Sequence, residues 1–219
     1  MQLAAALWLR SCFRLTPRCR CWPWQVFLCT GQSNMEFSLN AAMNASAEIA
    51  DSVNYPNLRL STVATMPGAK TPMRDVPSIS NITDPKSGKV VSWRRSEPDA
   101  FAPATSSKFS YFSAVCYLFG RDLYRSKGGA VPIGLVASDV GGVKIETLMS
   151  TDALLDDSCG GTAYAPAAAA PASSLVPGLD GSVWNGMINP LLPMRFAGVV
   201  FCEPRSRQPS TAHSLTCWR

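Results

Sequence analysis

The sequence predicts an α/β domain built around a parallel β-sheet. Three short apolar runs, Val26–Cys29, Pro132–Ser138 and Phe196–Phe201, end in small or polar residues, as buried strands often do. A segment with helical periodicity, residues 111–125, lies between the first two runs. Strands that alternate with helices and read as nearly continuous apolar runs are buried on both faces, so we expect helices on both sides of the sheet.

The remaining elements follow from local patterns. Residues 57–63 alternate apolar and polar side chains, which predicts a second strand. In residues 111–125, apolar side chains recur three and four positions apart and therefore share one helix face. The strand at 132–138 runs into the predicted turn Asp139–Gly142. Two stretches rich in Pro with Ser or Ala are predicted as long surface loops: residues 66–98 and 163–181.

The length and charge of the chain limit its function. A chain of 219 residues is long enough for one ordinary domain, which we place at residues 25–201 between an unstructured or non-homologous leader, 1–24, and a non-homologous tail, 202–219. The net charge of +5 comes largely from a leader that holds four Arg and no acidic residue. This arm has no nucleic-acid-reading motif and no basic helical stripe, so we expect no nucleic-acid partner. No stretch approaches the roughly 20 apolar residues of a membrane-spanning helix, and no oligomeric state is indicated.

The cysteines and glycosylation sequons indicate an oxidising compartment. Eight cysteines are many for a cytosolic enzyme of this size, and sequons begin at Asn44 and Asn81. These features favour the secretory pathway, with a lysosomal or extracellular destination. Cys12, Cys19 and Cys21 do not have the spacing of a known zinc site and have no nearby His, so we expect no metal.

The segment Gly31–Met35 carries the most informative pattern, because it directly follows a predicted buried strand. The C-terminal ends of parallel strands form the binding edge of an α/β sheet, so Ser33 would face a crevice there. Ser33 could then act as a nucleophile. A Ser after a strand is also commonly a helix N-cap, and from spacing alone this structural role stays open.

Five motifs, in order, resemble the sialate O-acetylesterase family of the SGNH hydrolase superfamily. The resemblance implies a three-layer, flavodoxin-like α/β fold with a parallel sheet, and an esterase that removes O-acetyl groups from sialic acids or related acetylated sugars. No cofactor or metal is implied. The motifs are Gly31-Gln-Ser-Asn-Met-Glu36, the helix at 112–124, Pro132–Ser138 with Gly141–Glu146, Trp184-Asn-Gly-Met-Ile-Asn-Pro190 and Gly198–Val200.

The resemblance also implies roles for individual residues. Ser33 would be the nucleophile, and the backbone N–H of Gly142, or of Gly141 beside it, would stabilise the oxyanion together with that of Ser33. Asp139 stands where the family usually has Ser, and Glu146 would be a structural or substrate-side carboxylate. Substrate-binding positions implied by the likeness are Gln32, Asn34, Asn185 and Asn189, with helix capping as the alternative for Asn185.

The likeness ends after Phe201. Pro204 and Arg207 stand where the family has the Gly and the Asn of its third motif, and Pro has no N–H to donate. No Asp-x-x-His motif follows, and the single histidine, His213, has no Asp three residues before it. We therefore expect a domain that is incomplete on its C-terminal side, with little or no esterase activity. The alternatives are a non-catalytic fragment that at most binds acetylated glycans, or a dimer in which another chain completes the site.

Overall fold

The computed structural model describes residues 24–63, 69–75, 93–101, 112–155 and 181–202. Five strands and four α-helices lie in these ranges, with a π-helical turn at Trp184–Ile188. The strands are β1 (Gln25–Gly31), β2 (Leu58–Thr62), β3 (Arg94–Arg95), β4 (Ile133–Asp139) and β5 (Gly198–Cys202); the helices are α1 (Ser33–Glu36), α2 (Ala45–Asp51), α3 (Ala114–Ser126) and α4 (Thr151–Leu155).

The strands form one mostly parallel sheet in the order β3-β2-β4-β1-β5. Only the two-residue β3 runs antiparallel, at the edge beside β2. The predicted α/β class is therefore confirmed. One feature of the order differs from a flavodoxin-like sheet, in which the first strand lies beside the second, because here β4 stands between β1 and β2. Every residue of β4 is buried, which suits the strand to this central position.

Side chains of the strands point alternately to the two faces of the sheet and form a separate hydrophobic core on each face. Cys29 of β1 and Leu135 of β4 pack on one face, with α3 and with Met35 of α1. Leu28 and Val136 pack on the opposite face. There they meet short helical turns at Ile145–Leu148, Trp184–Ile188 and Asn189–Leu191. Both faces of the sheet are covered, as the sequence predicts, and the domain has three layers.

Helix α3 is fixed to the sheet by a cap and by a disulfide bond. The Ser113 hydroxyl accepts a hydrogen bond from the backbone N–H of Cys116, so the helix begins at Ala114, later than the periodicity alone predicts. The side chain of Cys116 is disulfide-bonded to Cys29 in β1, and both cysteines are fully buried. The bond therefore joins two layers of the domain.

The ends of several elements differ from the predicted ones by one or two residues. The clearest case is β5, which includes Cys202, a residue assigned to the tail from sequence; its register with Gly31 of β1 keeps it in the sheet. The leader up to residue 23, the rest of the tail and His213 lie outside the described residues. Within the described ranges, no helix is long and apolar enough to cross a bilayer.

Candidate active site

Ser33 lies just past the C-terminal end of β1, which is flanked by β4 and β5. The neighbouring strands end at the same level, since Gly31 is paired with Asp139 on one side and with Cys202 on the other. Gln32 occupies the N-cap position of α1, and Ser33 is the first helical residue. Ser33 is therefore not the N-cap residue of α1, which was the alternative role left open by its spacing. The Ser33 side chain is half-buried at this sheet edge.

The turn after β4 lies against Ser33. A Cβ atom placed on Gly141 would be 3.5 Å from Ser33 Cβ, an ordinary packing distance. The next residue, Gly142, has a φ of 78°, a left-handed conformation that residues with side chains rarely adopt. Gly142 is exposed, and nothing lies within 4 Å of the Cβ position it would have. The structure thus places Gly141, the first of the two glycines that the sequence singles out, against Ser33, and Gly142 follows it in the same turn.

Glu36 also belongs to this cluster, although its sequence pattern alone gives it no role there. Its Oε2 atom accepts a hydrogen bond of 2.7 Å from the backbone N–H of Gly141. Partial burial raises the pKa of Glu36, and the hydrogen bond from Gly141 opposes that shift. The contact joins residues 105 positions apart. The only sequence signal for it was the proximity of Glu36 to Ser33 on the same short helix.

A second carboxyl group, that of Asp139, lies at the end of β4. Burial raises the pKa of Asp139 to about 8, and the nearby charge of Glu36 acts in the same direction. Its Oδ2 atom is buried and has no hydrogen-bond partner among the described residues. At neutral pH this carboxyl group is therefore largely protonated, and the pair formed by Glu36 and Asp139 carries at most about one negative charge.

The other residues at this edge take different positions. The backbone N–H of Gln32 donates to the carbonyl of Cys202 at 3.2 Å, and the Asn34 side chain is exposed.

In the described part of the chain, no group of three or more His, Cys, Asp or Glu side chains could hold a metal ion. Glu146 is buried, with 4% of its surface exposed.

The chain resembles known acetylesterases in sequence. Human sialate O-acetylesterase is 31% identical over 182 residues, which cover 83% of this chain and 31% of the human protein. The rat sialate O-acetylesterase is 32% identical over 207 residues, which cover 81% of this chain and 34% of the rat protein. The chain belongs to the sialate O-acetylesterase family. It spans about a third of the length of these curated family members.

A solved structure supports the family and the fold. A carbohydrate acetylesterase from Xanthomonas citri superposes with a TM-score of 0.56 and 27% sequence identity. The superposition covers 82% of this chain and 32% of that acetylesterase. No protein-family model matches the chain. The α/β architecture described above is thus shared with an acetylesterase.

Asn185 and Asn189, which the family resemblance marks as substrate-binding, make other contacts in the structure. The Asn185 amide donates to the carbonyl of Ala69 at 3.0 Å, and the Asn189 amide donates to the carbonyl of Met73 at 2.9 Å. The backbone N–H of Met73 in turn donates to the carbonyl of Asn185. Both asparagines therefore anchor the segment 69–75, and their role in substrate binding stays a prediction.

Proposed function

We propose that this chain carries the nucleophile of a serine esterase that removes acetyl groups from O-acetylated sugars, with sialic acids as the first substrates to test. The observation that carries the proposal is the contact between Ser33 and the Gly141–Gly142 turn at the C-terminal edge of a parallel sheet. The names of the relatives supply the reaction class, since sialate O-acetylesterases and a carbohydrate acetylesterase match more than four-fifths of the chain.

In the proposed reaction, Ser33 Oγ attacks the acetyl carbonyl carbon and gives its proton to a general base. The carbonyl oxygen becomes an oxyanion, and a backbone N–H of the glycine turn donates to it. The C–O bond to the sugar then breaks, and the base returns the proton to the leaving sugar oxygen. Water hydrolyses the acetyl-serine in the same way and releases acetate. His213, the single histidine of the sequence, lies outside the described residues, so the base is left unassigned.

The test is release of acetate from 9-O-acetyl sialic acid and from an acetylated xylose, compared between the wild type and Ser33→Ala. Because the sequence predicts little or no esterase activity for this chain, the wild-type rate is measured first; any acetate release that it shows should be abolished by Ser33→Ala if Ser33 is the nucleophile. Ser126→Ala is the matched control, because Ser126 is exposed at the end of α3 and its hydroxyl donates to the carbonyl of Leu123 within the same helix. Equal turnover by both variants would refute the proposal.

A second candidate is a binder of acetylated glycans that does not turn them over. It is favoured by Pro204 and Arg207, which stand where the family has a glycine and the asparagine of its third motif. Calorimetric titration with acetylated and de-acetylated sialic acid separates the two candidates. Binding of the acetylated sugar without acetate release would support this second function.

The buried disulfide bond supports a location in the secretory pathway, either lysosomal or extracellular. Disulfide bonds between buried cysteines form and persist in oxidising compartments and are rare in the cytosol. We therefore propose that the chain folds in such a compartment. Mass spectrometry of protein secreted from cultured cells, with and without reduction, tests whether Cys29 and Cys116 are joined there.

A further inference from the structure

Glu36 links the helix that carries Ser33 to the glycine turn after β4. The link is a single hydrogen bond of 2.7 Å from the Gly141 N–H to Glu36 Oε2. We propose that Glu36 is a positioning residue, which fixes the Gly141–Gly142 turn against α1 and leaves the Gly142 N–H as the oxyanion donor. The second half of this inference rests on the proposed function, whereas the first half does not.

The hydrogen bond separates the roles of two adjacent glycines. Sequence resemblance leaves either Gly141 or Gly142 as the oxyanion donor. The Gly141 N–H is already bound to a carboxylate oxygen, at a distance typical of strong, charge-assisted hydrogen bonds. The Gly142 N–H has no acceptor among the described residues, and this residue is exposed at the same edge. Gly142 therefore has the donor that an incoming acyl oxygen can reach.

A side chain at residue 141 would disturb the contact with Glu36. A Cβ atom at this position would lie 2.6 Å from Glu36 Oε2, closer than a carbon and a carboxylate oxygen can pack. A side chain at residue 141 would therefore push the Glu36 carboxylate away from the backbone N–H that it binds. The same Cβ position is 3.5 Å from Ser33 Cβ, so the Glu36 contact and the nucleophile are immediate neighbours.

The charge on Glu36 is not what the contact requires. A negative charge near a developing oxyanion would raise the energy of the transition state. Asp139, the other carboxyl group of the cluster, is largely protonated at neutral pH because it is buried. Protonated Glu36 and a glutamine at this position both retain an oxygen that can accept the Gly141 hydrogen bond. A glutamine should therefore replace Glu36 without loss of positioning.

The first test measures the hydrogen-exchange rate of the Gly141 amide by NMR, which needs no enzymatic turnover. In Glu36→Ala, the rate should rise by about 10- to 100-fold over the wild type, the range for losing a hydrogen bond to a charged group. Glu36→Asp should show the same rise, because its side chain is one methylene shorter. Glu36→Gln should show a clearly smaller rise than either, because its amide oxygen keeps the hydrogen bond at the same reach without the charge. An unchanged rate in both Glu36→Ala and Glu36→Asp would overturn the inference.

Two further variants guard against general effects on the fold. Glu97→Ala removes an exposed glutamate outside this cluster and should leave the Gly141 exchange rate unchanged. If Glu36→Ala does not fold, the comparison between Glu36→Asp and Glu36→Gln decides the result, because only the longer side chain spans the distance. Faster exchange in Glu36→Gln than in Glu36→Asp would overturn the inference.

The second test measures acetate release and separates this inference from the proposed function. In an active chain, Glu36→Ala and Glu36→Asp should lower kcat at nearly constant KM. Glu36→Gln should retain most of the wild-type kcat. An equal loss in Glu36→Gln and Glu36→Ala would assign a proton-transfer role to Glu36 and overturn the positioning role. If the wild type releases no acetate, the oxyanion assignment of Gly142 falls with the proposed function, and the exchange rates alone decide the contact of Glu36 with Gly141.

Discussion

Removal of the Cys29–Cys116 disulfide bond should strongly destabilise the domain. The two cysteines are 87 positions apart, and closing a loop of that length in the unfolded chain corresponds to about 4–5 kcal/mol of stabilisation. Domains are stable by only about 5–15 kcal/mol, so this is a large fraction of the total. For a chain of this size, we expect Cys29→Ala combined with Cys116→Ala to lower Tm by about 8–20 °C.

The measurement is urea and thermal unfolding followed by near-UV circular dichroism, for the double variant and for the wild type with and without dithiothreitol. Cys202→Ser is the matched control: Cys202 is the free cysteine among the described residues and is half-buried in β5. It should change Tm by no more than a few degrees. Equal stability of the oxidised wild type and the double variant would refute the reasoning that the cross-link stabilises the fold.

Three further predictions concern charges and the glycine turn. Burial raises the pKa of Asp139 from its ordinary 3.8 to about 8 in the folded protein. Between about pH 4 and 8 the native state therefore holds a proton that the unfolded chain has released, and the free energy of unfolding should fall as the pH rises through this window. Urea titrations should show this fall, and Asp139→Asn should make the free energy of unfolding less dependent on pH. An unaltered slope would mean that Asp139 is ionised in the fold. Gly142→Ala should cost about 1–2 kcal/mol of unfolding free energy because of its left-handed φ, and a neutral effect would contradict that conformation. Arg121→Ala breaks the ion pair that joins α3 to Glu48 of α2 and should cost about 1 kcal/mol, less in 1 M NaCl; a salt-independent loss would indicate lost packing instead.

The buried strands were predictable because their sequences carry the signal locally. Nearly continuous apolar runs mark β1 and β4, and the structure places both in the interior of the sheet. The position of β4 between β1 and β2 was not predictable in this way, since strand order depends on pairings between distant segments. Helix α3 also starts later than its apolar periodicity predicts, because the Ser113 side chain caps the helix and this cap is not visible in the apolar pattern.

At the site, the sequence predicts the meeting of Ser33 with the Gly141–Gly142 turn, because both follow parallel strands and such strands end at one edge. The hydrogen bond between Glu36 and the Gly141 N–H could not be predicted, since no local sequence pattern pairs a carboxylate with a backbone N–H 105 residues away. The same limit applies to the disulfide bond, because eight cysteines allow many pairings and spacing does not choose among them.

The way in which Asn185 and Asn189 hold segment 69–75 bears on how the sequence of that segment can change over evolution. Both amides donate to main-chain carbonyls, those of Ala69 and Met73, and the return contact comes from a main-chain N–H. Almost any residue type offers the same carbonyl, so side chains in the segment can be exchanged without loss of the anchor. The two asparagines have no such freedom. Among homologues that keep this loop path, we expect variation in residues 69–73 beside constancy at positions 185 and 189.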